Sequence, residues 1–143
     1  MSAEIKEVVA EWQGKSKFVG KNLKDGQVLM GGKVDAGRVS PMELLLIGMA
    51  GCTGIDVVNI LEKKRQPLKN FQVKVRGKRA DDYPMVYTEI EVEYLLWGNG
   101  LSPKAVEQAI QLSEEKYCSA SIMLGKTAKI RSSYQIFKPQ EVS

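Results

Sequence analysis

Two cysteines are the residues of this chain best suited to chemistry, and each sits in a dense segment. One is Ser40-Pro-Met-Glu-Leu-Leu-Leu-Ile-Gly-Met-Ala-Gly-Cys52, the other Ser113-Glu-Glu-Lys-Tyr-Cys118-Ser-Ala-Ser. The chain has no histidine, which removes the usual base beside a nucleophilic serine or cysteine and the commonest zinc ligand. Two thiols cannot complete an ordinary zinc site alone, and no carboxylates are spaced to supply the rest. Neither a metal nor a cofactor is expected. Any chemistry is to be sought at Cys52 and Cys118. The bland alternative stays open: a cysteine on an apolar helix is ordinarily a small buried hydrophobe, and that description fits Cys52 when its segment is read alone.

These thiols must be positioned by a modest scaffold. At 143 residues the chain has the size of one domain, 1–143, able to bury a core. The formal charge of +4 is scattered. The run Lys63-Lys64-Arg65 falls at a helix C-terminus, where cations complement the helix dipole. No face concentrates basic and aromatic residues, so no nucleic-acid partner is expected. The first residues lack an apolar h-region, and the longest apolar run, Leu44–Ala50, is far short of the roughly 20 residues of a membrane span. No membrane partner and a cytoplasmic location are the corresponding expectations.

The first forty residues read as strands. Val8, Ala10 and Trp12 alternate before Gly14; Lys17-Phe-Val19 and Gln27-Val-Leu-Met30 flank the turn pair Asp25-Gly26. Ser40, Pro41 and Glu43 then form a capping box that opens a helix running to about Lys64. Its first half is apolar nearly all round, the pattern of a buried central helix. Gly48, Gly51 and Gly54 each cost about 1 kcal/mol relative to alanine and point to close approach by another element, such as a partner helix. Phe71, Val73 and Val75 alternate with Lys74, Arg76 and Lys78. Ile90, Val92 and Tyr94 alternate with Glu89, Glu91 and Glu93. A turn at Asp81-Asp82-Tyr83-Pro84 makes these a hairpin with a basic row beside an acidic one. Ser102-Pro103 opens a second helix to about Tyr117, a short helix follows from Ser119 to Leu124, and a last strand spans about Thr127–Phe137. The order is βββ-α-ββ-α-α-β, an α+β domain. Trp12, Trp97, Phe18 and Tyr94 are assigned to core or pocket wall.

With its elements in this order, the chain resembles the OsmC/Ohr family, small proteins whose better-known members reduce organic hydroperoxides with a cysteine pair. The matching residues are Ser40-Pro-Met-Glu-Leu-Leu-Leu with Gly51-Cys52, and Glu115-Lys-Tyr-Cys118-Ser with Leu124. Ile55-Asp-Val-Val resembles the YhfA-like branch. The resemblance implies an OsmC-like fold, an intertwined homodimer and active sites at the subunit interface. Cys52 would be the peroxidatic cysteine and Cys118 the resolving one, in an antioxidant, peroxidase-type role. The substrate would be an organic hydroperoxide, and a dithiol reductant would reopen the disulfide. The family also uses an arginine–glutamate pair beside its first cysteine. Here the residue after the proline is Met42, with Glu43 one position later, and the nearest arginine is Arg38. Arg38 and Glu43 therefore stand as candidate site residues, while a non-catalytic small-molecule-binding or redox-sensing protein stands as the alternative.

Elementary distances add to this. Cys52 lies twelve residues beyond Ser40, about 18 Å along a helix, so Arg38 of the same chain hardly reaches it, whereas Arg38 of an antiparallel partner could. The dipole fades within the first helical turn, which leaves Cys52 without its help. Cys118 precedes a short helix and on local grounds is the more acidic thiol. Asp56, one turn after Cys52, would raise rather than lower a thiol pKa if charged.

Overall fold

Local signals set the first strands and their turns. The structure, a computed structural model, describes residues 3–139. Its contacts divide the chain into two compact units, Met1–Leu45 and Leu46–Ser143. In the first, β1 (Val8–Trp12), β2 (Phe18–Asn22) and β3 (Gln27–Met30) form an antiparallel meander. Asp25 adopts φ +67° at the second reversal. There the Asn22 side-chain oxygen accepts the N–H groups of Lys24 (2.9 Å) and Gly26 (2.8 Å), an Asx turn that replaces missing backbone bonds. This sheet leaves apolar residues open: Val8, Val9, Trp12 and Leu29 are exposed. Trp12 is thus not core, as its strand alternation suggests, and its indole N–H donates instead to the Lys15 carbonyl at 2.7 Å.

The helix α1 (Pro41–Lys63) begins in the first unit and continues into the second. Its capping box is formed: the Ser40 N–H donates to Glu43 Oε1 (2.8 Å), and the Glu43 N–H to Ser40 Oγ (3.1 Å).

In the second unit β4 (Asn70–Arg79) and β5 (Tyr87–Trp97) pair antiparallel, and β6 (Lys129–Phe137) joins β5 in parallel. A parallel neighbour requires a crossover. It is built from α2 (Pro103–Leu112), one π turn (Ser113–Tyr117) and α3 (Ser119–Leu124). The expected hairpin register is present, with Lys74, Arg76 and Lys78 opposite Glu93, Glu91 and Glu89. The opposite face of β5, carrying Ile90, Val92, Tyr94 and Leu96, is buried. Gly77 is required in β4 because a Cβ there would lie 2.6 Å from the Tyr87 ring.

Two expectations are corrected. Within the chain α1 is not buried all round: its buried line is Met49, Thr53, Val57 and Leu61, the i, i+4 spacing of one face. Leu45, Ile47 and Ile55 are exposed, and a Cβ on Gly48 or Gly51 would meet nothing within 4 Å. An 18-residue window of α1 has a mean hydropathy of 1.9, enough by length and composition alone to cross a membrane, a test that the core helix of a soluble protein also passes. The second helix ends at Leu112 rather than Tyr117. Beyond it, the Cys118 N–H reaches back to the Ser113 carbonyl at 2.6 Å, an i→i+5 bond that widens the last turn.

Candidate thiol site

The π turn sets the geometry around Cys118. It delivers this residue to the N-cap of α3, where the sulfur accepts the Ser121 N–H (3.3 Å) and Ser121 O–H (3.0 Å). Cys118 is fully buried, whereas Cys52 on α1 is half-buried, and both are free thiols. Their side chains lie close together, near enough for Cys52 to push the Cys118 thiol pKa up. Burial pushes the Cys118 thiol pKa up; the two Ser121 donors pull against this, and the neighbouring Cys52 pushes it up again. The expectation that Cys118 is acidic by virtue of its helix N-terminus is therefore reversed. Removing a thiolate from water costs more than one short helical turn returns.

Beside the thiols lies a set of hydroxyl groups that sequence reasoning did not connect. Thr53 Oγ1, next in sequence to Cys52, lies 2.7 Å from Ser113 Oγ and 2.9 Å from the Tyr94 hydroxyl. Ser113 Oγ donates to Asp56 Oδ2 at 2.9 Å, and the Tyr94 hydroxyl donates to Glu114 Oε2 at 2.5 Å. Ser132 Oγ also donates to the Glu114 carboxylate, at 2.6 Å. Thr53, Ser113 and Tyr94 are fully buried. Burial, together with the Glu114 carboxylate accepting its proton, pushes the Tyr94 pKa strongly up, so the phenol keeps its hydrogen. Asp56 lines one groove, of about 450 Å³, with Asn59, Lys63 and Tyr117; Glu114 lines another, of about 240 Å³, with Glu107 and Tyr134. A signal was available: Thr53 is a polar residue on the buried line of an otherwise apolar helix. Its partners were not legible, because they lie 41 and 60 positions away.

Arg38 and Glu43 have other partners in the first unit. The Arg38 guanidinium donates to the carbonyls of Phe18 and Met30 (both 3.1 Å) and to Gln13 Oε1 (2.8 Å). It thereby ties the start of β2 to the end of β3. The Glu43 carboxylate is occupied by Ser40, whose backbone N–H and hydroxyl hold its pKa below the usual carboxylate range. Among the described residues, no group of three or more histidine, cysteine, aspartate or glutamate side chains is placed to hold a metal ion.

Known proteins are similar to this chain in sequence, in fold or in both. The family model described as OsmC-like protein matches residues 33–133. Protein YhfA of Escherichia coli K12 is 37% identical over 136 residues, which span 95% of this chain and 98% of the relative. The crystal structure of a hypothetical protein from Aquifex aeolicus VF5 matches with a TM-score of 0.86 and 37% identity, over 95% of this chain and 98% of its own. An organic hydroperoxide resistance protein OsmC from Legionella pneumophila has the same fold at a TM-score of 0.71 and 11% identity, over 94% and 99% of the two chains.

Proposed function

This chain belongs to the OsmC-like family, and we propose that it reduces organic hydroperoxides through Cys52 and Cys118. Family membership and the closeness of the thiols support a redox role for the pair. The observation that carries the finer reading is that closeness: two cysteines remote in sequence lie close together, one half-exposed and one buried. A Cys52 thiolate attacks the terminal oxygen of ROOH, the O–O bond breaks, and the alkoxide takes a proton to leave as alcohol. Cys52 becomes a sulfenic acid. The Cys118 sulfur then attacks the Cys52 sulfur, hydroxide leaves and is protonated to water, and a disulfide forms. A dithiol reductant returns both thiols by exchange.

The working unit in this reading is a homodimer. Exposed Leu45, Ile47 and Ile55 on α1 are the kind of apolar surface an obligate interface buries, often about 2,000 Å² or more in total. Arg38, if it assists Cys52, does so from the partner chain. The test of that role is a mixed dimer with Arg38→Ala and Cys52→Ser on separate chains or on one. Separate-chain mutants keep one intact trans site, and same-chain mutants damage both. A second reading, a non-catalytic small-molecule-binding member of the family, is favoured by the occupied state of Arg38 and Glu43.

Stoichiometric cumene hydroperoxide, compared with hydrogen peroxide, separates the two readings. Peroxidase chemistry consumes both thiols with cumene hydroperoxide and yields a Cys52–Cys118 linkage by mass spectrometry. Free thiols after treatment with either peroxide would leave the binding reading in its place.

A further inference from the structure

The four oxygen–oxygen contacts from Asp56 through Ser113, Thr53 and Tyr94 to Glu114 involve only three hydroxyl protons. With both end carboxyl groups ionised, three contacts are filled. The fourth brings two oxygens to hydrogen-bond distance with no hydrogen between them, an arrangement that costs free energy in a buried place. With Ser113 donating to Asp56 and Tyr94 to Glu114, the empty contact is one of the two at Thr53; one further proton, on either end carboxyl, reverses the donation at that end and completes the chain. The completed chain has two arrangements, all donors pointing toward Asp56 or all toward Glu114, and passing between them moves one proton across the interior.

We propose that these five residues form a proton relay for the thiol pair, loaded with that fourth proton and ending at Asp56, one helical turn from Cys52. This rests on the peroxidase reading and extends it. When the Cys52 sulfur bonds to the terminal oxygen of ROOH, the electron pair of the broken O–O bond stays on RO⁻. The Asp56 end donates the proton that makes ROH. The hydroxyls then shift in turn, and Glu114 takes a replacement from water in its own groove, where exposed Ser132 already contacts it. The thiols stay in place meanwhile: Ser113 holds the Cys118 N–H through its carbonyl while its hydroxyl serves the relay. Thr53, Ser113 and Tyr94 are positioning residues, because they act through Asp56.

Glu114→Gln is the decisive variant. A glutamine amide N–H fills the fourth contact, so the packing is kept while the transferable proton is lost. Reaction with cumene hydroperoxide, whose leaving alkoxide needs a proton, is expected to slow by about tenfold or more. Alkylation of Cys52 by iodoacetamide, whose leaving iodide needs none, should stay within about twofold of wild type. Thr53→Val should repeat the pattern, and Thr53→Ser should restore the peroxide rate. Infrared spectroscopy of the untreated protein gives a readout independent of activity: a protonated-carboxyl band at neutral pH in wild type that Glu114→Gln abolishes. Equal slowing of both reactions, or slowing of neither, overturns the relay. Wild type that consumes no hydroperoxide overturns the peroxidase reading instead, and the infrared band then decides the proton count: its absence overturns the loaded chain, its presence upholds it.

Discussion

The segments around Cys52 and Cys118 solve opposite problems with the same side chain. Cys52 lies mid-helix on α1, half-buried, beside Gly48 and Gly51, whose surroundings are open. Cys118 is enclosed, caps α3, and has its sulfur held by two donors from Ser121. An attacking sulfur must be reached by a substrate, and a resolving sulfur must be kept from it yet lie beside the first. Burial achieves the second requirement at a chemical cost, a raised thiol pKa. In the proposed peroxidase, reactivity is therefore divided by exposure rather than by proximity to a helix N-terminus.

The largest effect expected from breaking this division is at the sulfurs. Cys52→Ser should abolish hydroperoxide consumption, while Cys118→Ser should retain one stoichiometric reaction and then stall as overoxidised Cys52. Thiol titration with peptide mass spectrometry distinguishes them, and identical behaviour of the two variants would remove the assigned roles. Next in size is the hydroxyl set behind the thiols. Tyr94→Phe deletes a hydroxyl that touches both Thr53 and Glu114, and should cost about 1–3 kcal/mol in urea unfolding. A change below about 0.5 kcal/mol would mean that water replaces the lost partner.

A smaller effect follows from the enclosed thiol. Because the folded-state pKa of Cys118 is raised above the ordinary 9.0, the folded protein holds that proton more tightly than the unfolded chain. Its contribution to stability is complete below about pH 9 and is lost as pH rises through the folded value. Denaturant midpoints between pH 7 and 10 should fall more steeply for wild type than for Cys118→Ala; parallel slopes would contradict the raised value. Tyr94, shifted in the same direction from 10.0, adds its own loss only above that pH. The smallest effect is at Ser121→Ala, which removes one donor to the Cys118 sulfur and leaves the backbone one. Disulfide formation after a peroxide pulse should slow by a few-fold, roughly the effect of one lost hydrogen bond, and an unchanged rate would make the hydroxyl incidental.

What the sequence determined by itself is local. The capping box at Ser40 and Glu43, the Asp25-Gly26 reversal and the charge rows of β4 and β5 depend on neighbours a few positions apart or on strict alternation, and each is present as read. The two cysteines were visible at once, but their pairing rested on a resemblance, since no local rule brings position 52 to position 118. The tertiary structure alone decided the rest. It exposed Trp12 and one face of α1, because strand and helix periodicity state which residues share a face but not whether anything covers it. It converted the end of the second helix into a π turn, a five-residue closure with no composition signature. It also joined Asp56, Ser113, Thr53, Tyr94 and Glu114, where buried hydroxyls and half-buried carboxyls must find partners and the partners come from whichever elements the packing makes adjacent.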